Sequence, residues 1–231
     1  MDEIMHAAKS PKPRRFSAVQ LLIALALFFA CAPFVEEIDG GDLIVSFLLS
    51  LVLLSAILAV AGRRRTLIVA LLLAVPTLAA RWANHFRPDL VPAGVFLIGG
   101  LLMFIFVVAQ LLRFVLRAPS VTSEVLCASI SAYLMLGLIW TLAYWLVDRL
   151  TPGGAFSFNT NTGEHSINGF TGFYFSFITL STAGYGDITP VSKIARWLAA
   201  MEAMTGLLYV AVLIARLVSL YSSPKSDDPS A

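Results

Sequence analysis

Six long apolar runs, joined by short polar or basic links, constrain this chain more than any single residue does. They cover roughly Phe16–Val35, Leu43–Ala61, Leu67–Trp82, Leu90–Leu112, Glu124–Val147 and Ala195–Leu220. A helix needs about 20 mostly apolar residues to cross a bilayer, and these segments meet or approach that length. The third is the shortest and contains Pro76. A seventh apolar stretch, Phe170–Ser181, is too short to span and suits a re-entrant or buried segment. Composition agrees: 58% of the 231 residues are hydrophobic and 13% are charged. Soluble domains carry about 45–50% apolar and about 25% charged residues. So little charge cannot cover a water-facing surface, which excludes a soluble globular enzyme. Mean hydropathy of +0.85 excludes a disordered chain. A net charge of +2 is too small for a nucleic-acid footprint. The expected fold class is an all-α integral membrane protein with six transmembrane helices.

Basic residues beside the spans set the orientation. Lys9, Lys12, Arg14 and Arg15 precede the first span, Arg63–Arg65 follow the second, Arg113 and Arg117 follow the fourth, and Arg216 and Lys225 close the chain. The opposite flanks hold only Arg81, Arg87, Arg149, Lys193 and Arg196. Both termini are therefore expected in the cytoplasm of a multi-pass plasma-membrane protein, and the acidic link with Glu36, Glu37, Asp39 and Asp42 on the outer side. Trp82, Trp145 and Trp197 fall near the outer span ends, as an aromatic belt requires. A signal or lipoprotein segment is the competing reading of the first run, but the run continues through Phe34 and Val35 and the context of Cys31 is a poor cleavage match. Cys31 and Cys127 have no metal-ligand spacing and suggest no disulfide framework. The segment Asp148–Gly169, rich in Gly, Asn and Thr, reads as an exposed outer loop. The polar tail Ser222–Ala231 leaves no room for a cytoplasmic ligand-binding domain in this sequence.

Directly after the short apolar stretch stands Ser181-Thr182-Ala183-Gly184-Tyr185-Gly186-Asp187. Moving a small ion from water into a medium of low dielectric costs on the order of 20 kcal/mol. Rings of backbone carbonyls can replace the lost water if consecutive carbonyls face one axis. That needs left-handed backbone at alternate positions, which Gly184 and Gly186 supply at little steric cost. Non-helical backbone at membrane depth is tolerated only where it is buried in protein or lines a wet cavity.

At these residues the sequence resembles the potassium-channel pore-loop family, whose filter usually reads Thr-Val-Gly-Tyr-Gly-Asp. The resemblance covers roughly residues 124–220 in the order span, outer loop, short helix, filter, span. It implies a selectivity filter at Thr182, Ala183, Gly184, Tyr185 and Gly186, with K+ held at Thr182, Ala183, Gly184 and Tyr185. It also implies a homotetramer in contact with membrane lipid, with K+ as permeant ion and no other cofactor. The domain organisation it suggests is a cytoplasmic tail over 1–15, a four-helix membrane domain over 16–117, a pore domain over 118–221 and a second cytoplasmic tail over 222–231. The short pore helix, about Thr171–Ser181, would aim its negative C-terminal end at the cation.

Departures from the pattern carry their own expectations. Ala183 keeps the carbonyl but loses two methyl groups against Val, which predicts weaker discrimination against sodium. Ile178 cannot hydrogen-bond the filter aspartate; Tyr174, one turn earlier on the same face, can reach Asp187. Gly206 sits where the family has an inner-helix hinge, with close helix packing as the competing explanation. Leu207, Val210, Ile214 and Val218, three or four apart, would line or flank the inner pore and its gate. Glu202 is the one acid deep in a span, and Thr179, Ser181 and Thr205 are candidate partners that would tie it to the rear of the filter.

Six spans with one pore loop also resemble the voltage-gated architecture. A voltage sensor needs several arginines in one span, since each charge contributes only about 2.3 kcal/mol per 100 mV. Leu90–Leu112 contains none, so steep voltage dependence is not expected. An intramembrane enzyme is disfavoured because His6, His85 and His165 lie in a tail and two loops. A weakly selective monovalent cation channel and a non-conducting regulatory subunit remain the alternatives.

Overall fold

A computed structural model describes residues 18–35, 41–60, 64–86, 92–159, 167 and 169–222. The two tails, the loop acids Glu36, Glu37 and Asp39, the flanking Arg63, Arg87 and Lys225, and His6 and His165 lie outside the described residues.

Among the described residues, six helices are long and apolar enough to cross a membrane: α1 (Ala18–Val35), α2 (Gly41–Val60), α3 (Arg64–Phe86), α4 (Ala93–Arg117), α5 (Ser123–Leu150) and α7 (Lys193–Ser222). The shorter apolar helix α6 (Gly169–Leu180) lies between α5 and α7. The described residues form an all-α membrane protein apart from one small sheet.

The third and fourth spans differ from the sequence expectation. Helix α3 does not stop at Trp82 but reaches Phe86, with Pro76 inside it. The turn where Pro76 offers no N–H is flanked by a hydroxyl bond from Thr77 to the Leu73 carbonyl at 2.6 Å, and neighbouring side chains and helices make a membrane-helix proline tolerable. Helix α4 begins at Ala93 rather than Leu90 and runs past Leu112 to Arg117, so Arg113 and Arg117 occupy its last turns. It ends because Pro119 follows: Ala118 is forced into extended backbone (ψ 130°). Thr122 then caps α5, its hydroxyl accepting from the Val125 amide at 3.4 Å.

The segment after α5 is not simply an exposed loop. Strand β1 (Phe156–Phe158) pairs antiparallel with β2 (Ile188–Pro190), in register Phe156 with Pro190 and Phe158 with Ile188. The Asp148 carboxylate anchors this segment, accepting from the Ala155 amide at 2.6 Å and the Ile167 amide at 3.2 Å. Ala155, Phe156 and Ile167 are buried. Tyr144, Phe156 and Phe175 form an edge-to-face trio with centroids 5.0–5.6 Å apart, which locks the hairpin, α5 and α6 together.

Helix α6 is wedged between α5 and the first helices. Small residues permit the close approach: a Cβ on Gly172 would strike the Trp145 indole, and one on Gly137 the Phe177 ring. On its other side, Phe29 of α1 packs on Phe173 and Phe177 with centroids 4.5 and 5.1 Å away. A cavity of about 400 Å³ lies between α1–α4 and the α5–α6 pair.

Candidate ion-conduction site

At the end of α6 the chain turns back on the helix. The Thr182 amide donates to the Thr179 carbonyl at 2.9 Å, and the Ala183 amide donates to the Ile178 carbonyl at 2.8 Å, with Gly184 N–H reaching the same oxygen at 3.3 Å. These bonds occupy carbonyls that a helix end otherwise leaves open. The backbone then alternates in hand: φ is 58° at Thr182, 52° at Gly184 and 82° at Gly186. The two glycines accept this freely, but a left-handed conformation costs a β-branched residue about 1–2 kcal/mol. Thr182 is the one non-glycine residue with positive φ among the described residues, and sequence reasoning assigned the left-handed positions only to the glycines. Residues 181–186 are all exposed in the single chain.

Past the alternation the chain is tied to its surroundings. The Tyr174 hydroxyl donates to Asp187 Oδ2 at 2.7 Å, while Asp187 Oδ1 accepts the Ile188 amide at 3.0 Å. The Tyr185 ring stacks on Tyr174, centroids 6.4 Å apart and planes 19° apart. Asn159, just after β1, clamps the same corner: its side-chain amide donates to the Gly186 carbonyl at 2.9 Å and its backbone N–H to the Asp187 carbonyl at 2.7 Å. The Gly186 oxygen is thus engaged by protein, and Gly186, expected in the filter but not among the positions that hold K+, has left-handed backbone.

Behind the loop, Glu202 of α7 is completely buried. Its partners are not Thr179, Ser181 or Thr205. Ser181 donates its hydroxyl back to the Phe177 carbonyl at 2.7 Å, Thr205 donates to the Met201 carbonyl at 2.7 Å, and Thr179 bonds Thr182 through its backbone. The Tyr144 hydroxyl of α5 donates to Glu202 Oε2, and Ser176 Oγ of α6 lies 2.6 Å from Oε1. Ser176 Oγ is also 2.8 Å from the Gly137 carbonyl, so its one proton serves two acceptors. Three helices meet at this carboxylate. The polar helix faces prevailed over the nearer hydroxyls, which satisfy themselves on their own preceding turn.

Gly206 lies one turn further along α7, which runs through it without a break. A Cβ there would fall on the Leu180 carbonyl oxygen. Close approach of α7 to the end of α6 therefore explains the glycine directly. Leu207, Val210, Ile214 and Val218 are 43–65% exposed, so none is consumed by packing within the chain. Two further α7 contacts were not legible in sequence: the Tyr209 hydroxyl donates to the Ser129 carbonyl at 2.6 Å, and Arg216 donates to the Ala118 carbonyl at 2.9 Å.

Residues 132–223 match a family profile described as "Ion channel". This segment is similar to ion-channel domains. The match takes in most of α5, the hairpin, α6, the alternating loop and α7, and it points to a channel rather than an enzyme. Over 45 residues the chain is 49% identical to Protein LctB of Geobacillus stearothermophilus and 44% identical to Protein LctB of Bacillus caldotenax. Each match takes in 20% of this chain and 33% of the relative, so the chain spans about a third of the length of the curated relatives it matches. No solved structure matches.

Proposed function

We propose that this protein is the subunit of a potassium-selective channel, four copies of which surround one axis and each lend a Thr182–Tyr185 segment as the selectivity filter. The observation that carries the reading is the alternation of left-handed φ at Thr182, Gly184 and Gly186 inside Thr-Ala-Gly-Tyr-Gly-Asp. Such alternation turns successive peptide oxygens to one side, where they replace an ion's hydration shell. In this reading α6 is a re-entrant pore helix whose C-terminal end, carrying about half a negative charge, supports a cation below the filter. One strand cannot encircle an ion, and rotational symmetry supplies the others. The exposure of residues 181–186 and of the α7 face through Leu207, Val210, Ile214 and Val218 supports a surface completed by other copies and by the conduction path.

The protein would reside in the plasma membrane with both termini cytoplasmic, following the basic flanks. Opening is not steeply voltage-dependent: α1 and the described residues of α2 carry no basic side chain, and α4 has only Arg113 and Arg117, in its last turns. Purified protein in liposomes should run as a tetramer and pass potassium far faster than sodium under matched gradients. Equal flux of the two ions, or a monomer that conducts, would overturn the reading. A second, weakly selective reading rests on Ala183, whose methyl leaves less bulk behind the filter than Val. Ala183→Val should then raise the potassium-to-sodium ratio; an unchanged ratio leaves Ala183 without that role.

A further inference from the structure

Strand β1 does more than pair with β2. Its register places Phe156, Ser157 and Phe158 opposite Pro190, Thr189 and Ile188, and the next residue, Asn159, falls opposite Asp187. The ladder continues there, with the Asn159 backbone amide donating to the Asp187 carbonyl at 2.7 Å. The Asn159 side chain reaches one residue further, its Nδ2 donating to the Gly186 carbonyl at 2.9 Å. A carbonyl only accepts, so the side-chain nitrogen and not its oxygen must face it. Phe156 and Ile188, one on each strand, are buried together with Tyr144 and Phe175. The strand that carries Asn159 is therefore anchored in the packing of α5 and α6.

Gly186 needs such a hold. It is exposed, its φ is 82°, and without a Cβ it reaches the opposite hand at no steric cost. A Cβ built on it would meet nothing within 4 Å, so packing within the chain does not fix its peptide either. Two consecutive carbonyls, those of Gly186 and Asp187, are drawn to one residue of the hairpin. They follow immediately on the Thr182–Tyr185 segment whose carbonyls the conduction reading gives to the ion. We propose that Asn159 is a positioning residue that sets the outer end of this segment, holding the Gly186 carbonyl on the hairpin so that the Tyr185 carbonyl is the last one turned to the axis. The inference rests on the conduction reading and adds to it a residue from outside α6, the loop and α7. Released from Asn159, the peptide after Gly186 rotates, and the order of the loop then depends on the ion itself, since a ligand that binds one arrangement favours it by mass action.

Current through purified protein in planar bilayers tests this for the parent, Asn159→Ala and Asn159→Asp. Alanine removes the donor, and aspartate keeps the size of asparagine but sets an oxygen where the donor stood. Both leave the backbone bond to Asp187 in place. In both, current should decay about two- to tenfold faster than in the parent, the range that one neutral hydrogen bond commands. Raised potassium on the side facing the hairpin should slow the decay in the variants more than in the parent, which a mere loss of folded protein does not do. Melting temperatures in detergent should match the parent's, because Asn159 is exposed and β1 keeps its buried residues. Parental decay in the variants, or a faster decay indifferent to potassium, overturns the role of Asn159; where the parent still prefers potassium to sodium in the same bilayers, the conduction reading stands. A parent without that preference overturns the conduction reading, and the proposal falls with it. Should Asn159→Ala not fold, Asn159→Asp decides alone, and a melting temperature well below the parent's in both makes Asn159 a structural residue and overturns the proposal as well.

Discussion

Helices α5 and α7 are of similar length and hydropathy, yet they relate to the rest of the chain in opposite ways. Over half of the spanning window of α5 is buried within the chain, 56%, against 11% for α7. Helix α5 is enclosed by α1, α4, α6 and α7, whereas α7 touches its own chain along one narrow line. That line is chemically dense: Glu202 to Tyr144 and Ser176, Gly206 against Leu180, Tyr209 to Ser129, Arg216 to Ala118. The contrast teaches that α5 is a scaffold finished within one chain, while α7 is fixed by a few polar and close contacts and leaves most of its apolar surface for lipid, other copies or a pore. In a bilayer apolar area alone does not bind helices together, so packing and hydrogen bonds along that line must hold α7 in register.

The comparison breaks most severely at Gly206. Gly206→Ala puts a methyl onto the Leu180 carbonyl, which is backbone and cannot swing aside. Overpacking costs about 1–3 kcal/mol, and a backbone neighbour places this change at the upper end. We expect the largest loss of melting temperature here, measured by thermal unfolding in detergent, with α7 displaced from α6. If the glycine acts only as a hinge, stability will stay at the parental level and open probability alone will fall. Next in size is Glu202. Glu202→Ala leaves the buried Tyr144 hydroxyl without its acceptor, a cost of about 1–3 kcal/mol, whereas Ser176 keeps the Gly137 carbonyl. Glu202→Gln preserves shape and one acceptor oxygen and should recover most of that loss. Equal melting temperatures for the two variants would show that the carboxylate site contributes nothing to holding α7.

How much of this was legible follows from the range over which each feature is encoded. The spans announce themselves through apolar length, a property of contiguous residues. Tyr174 and Asp187 are only 13 positions apart, and helical periodicity brings the phenol to the right end of α6. Glu202 was legible as an anomaly, but its partners were not: Tyr144 is 58 and Ser176 is 26 positions away, on two other helices, and no local period links them. The nearer hydroxyls misled because Ser181 and Thr205 bond their own helical turns. A three-residue strand such as Phe156–Phe158 is below the length at which alternation can be read, and its pairing with β2 depends on α6 bringing the chain back. The left-handed Thr182 was hidden for a different reason: its conformation is imposed by the turn onto Ile178 and Thr179 against the preference of the residue.

The smallest expected effect sharpens the comparison at its far end, where the loop after α6 meets the hairpin that α5 supports. Tyr174→Phe removes one hydroxyl and leaves the ring stacked on Tyr185, so only the bond to Asp187 is lost. A hydrogen bond to a charged acceptor contributes about 1.5–3 kcal/mol where it is buried and less where water competes, and Tyr174 is only partly buried. Asp187 also retains the Ile188 amide, and Asn159 still clamps Gly186 and the Asp187 carbonyl. Global melting should therefore move little, because α5, α6 and α7 keep every other contact. The change should instead surface in how long ion flux persists after it begins, read as a faster decay of current in the variant. A Tyr174→Phe protein with unaltered current decay would mean that Asn159 and the Ile188 amide alone hold Asp187, and that the loop draws its rigidity from the hairpin rather than from α6.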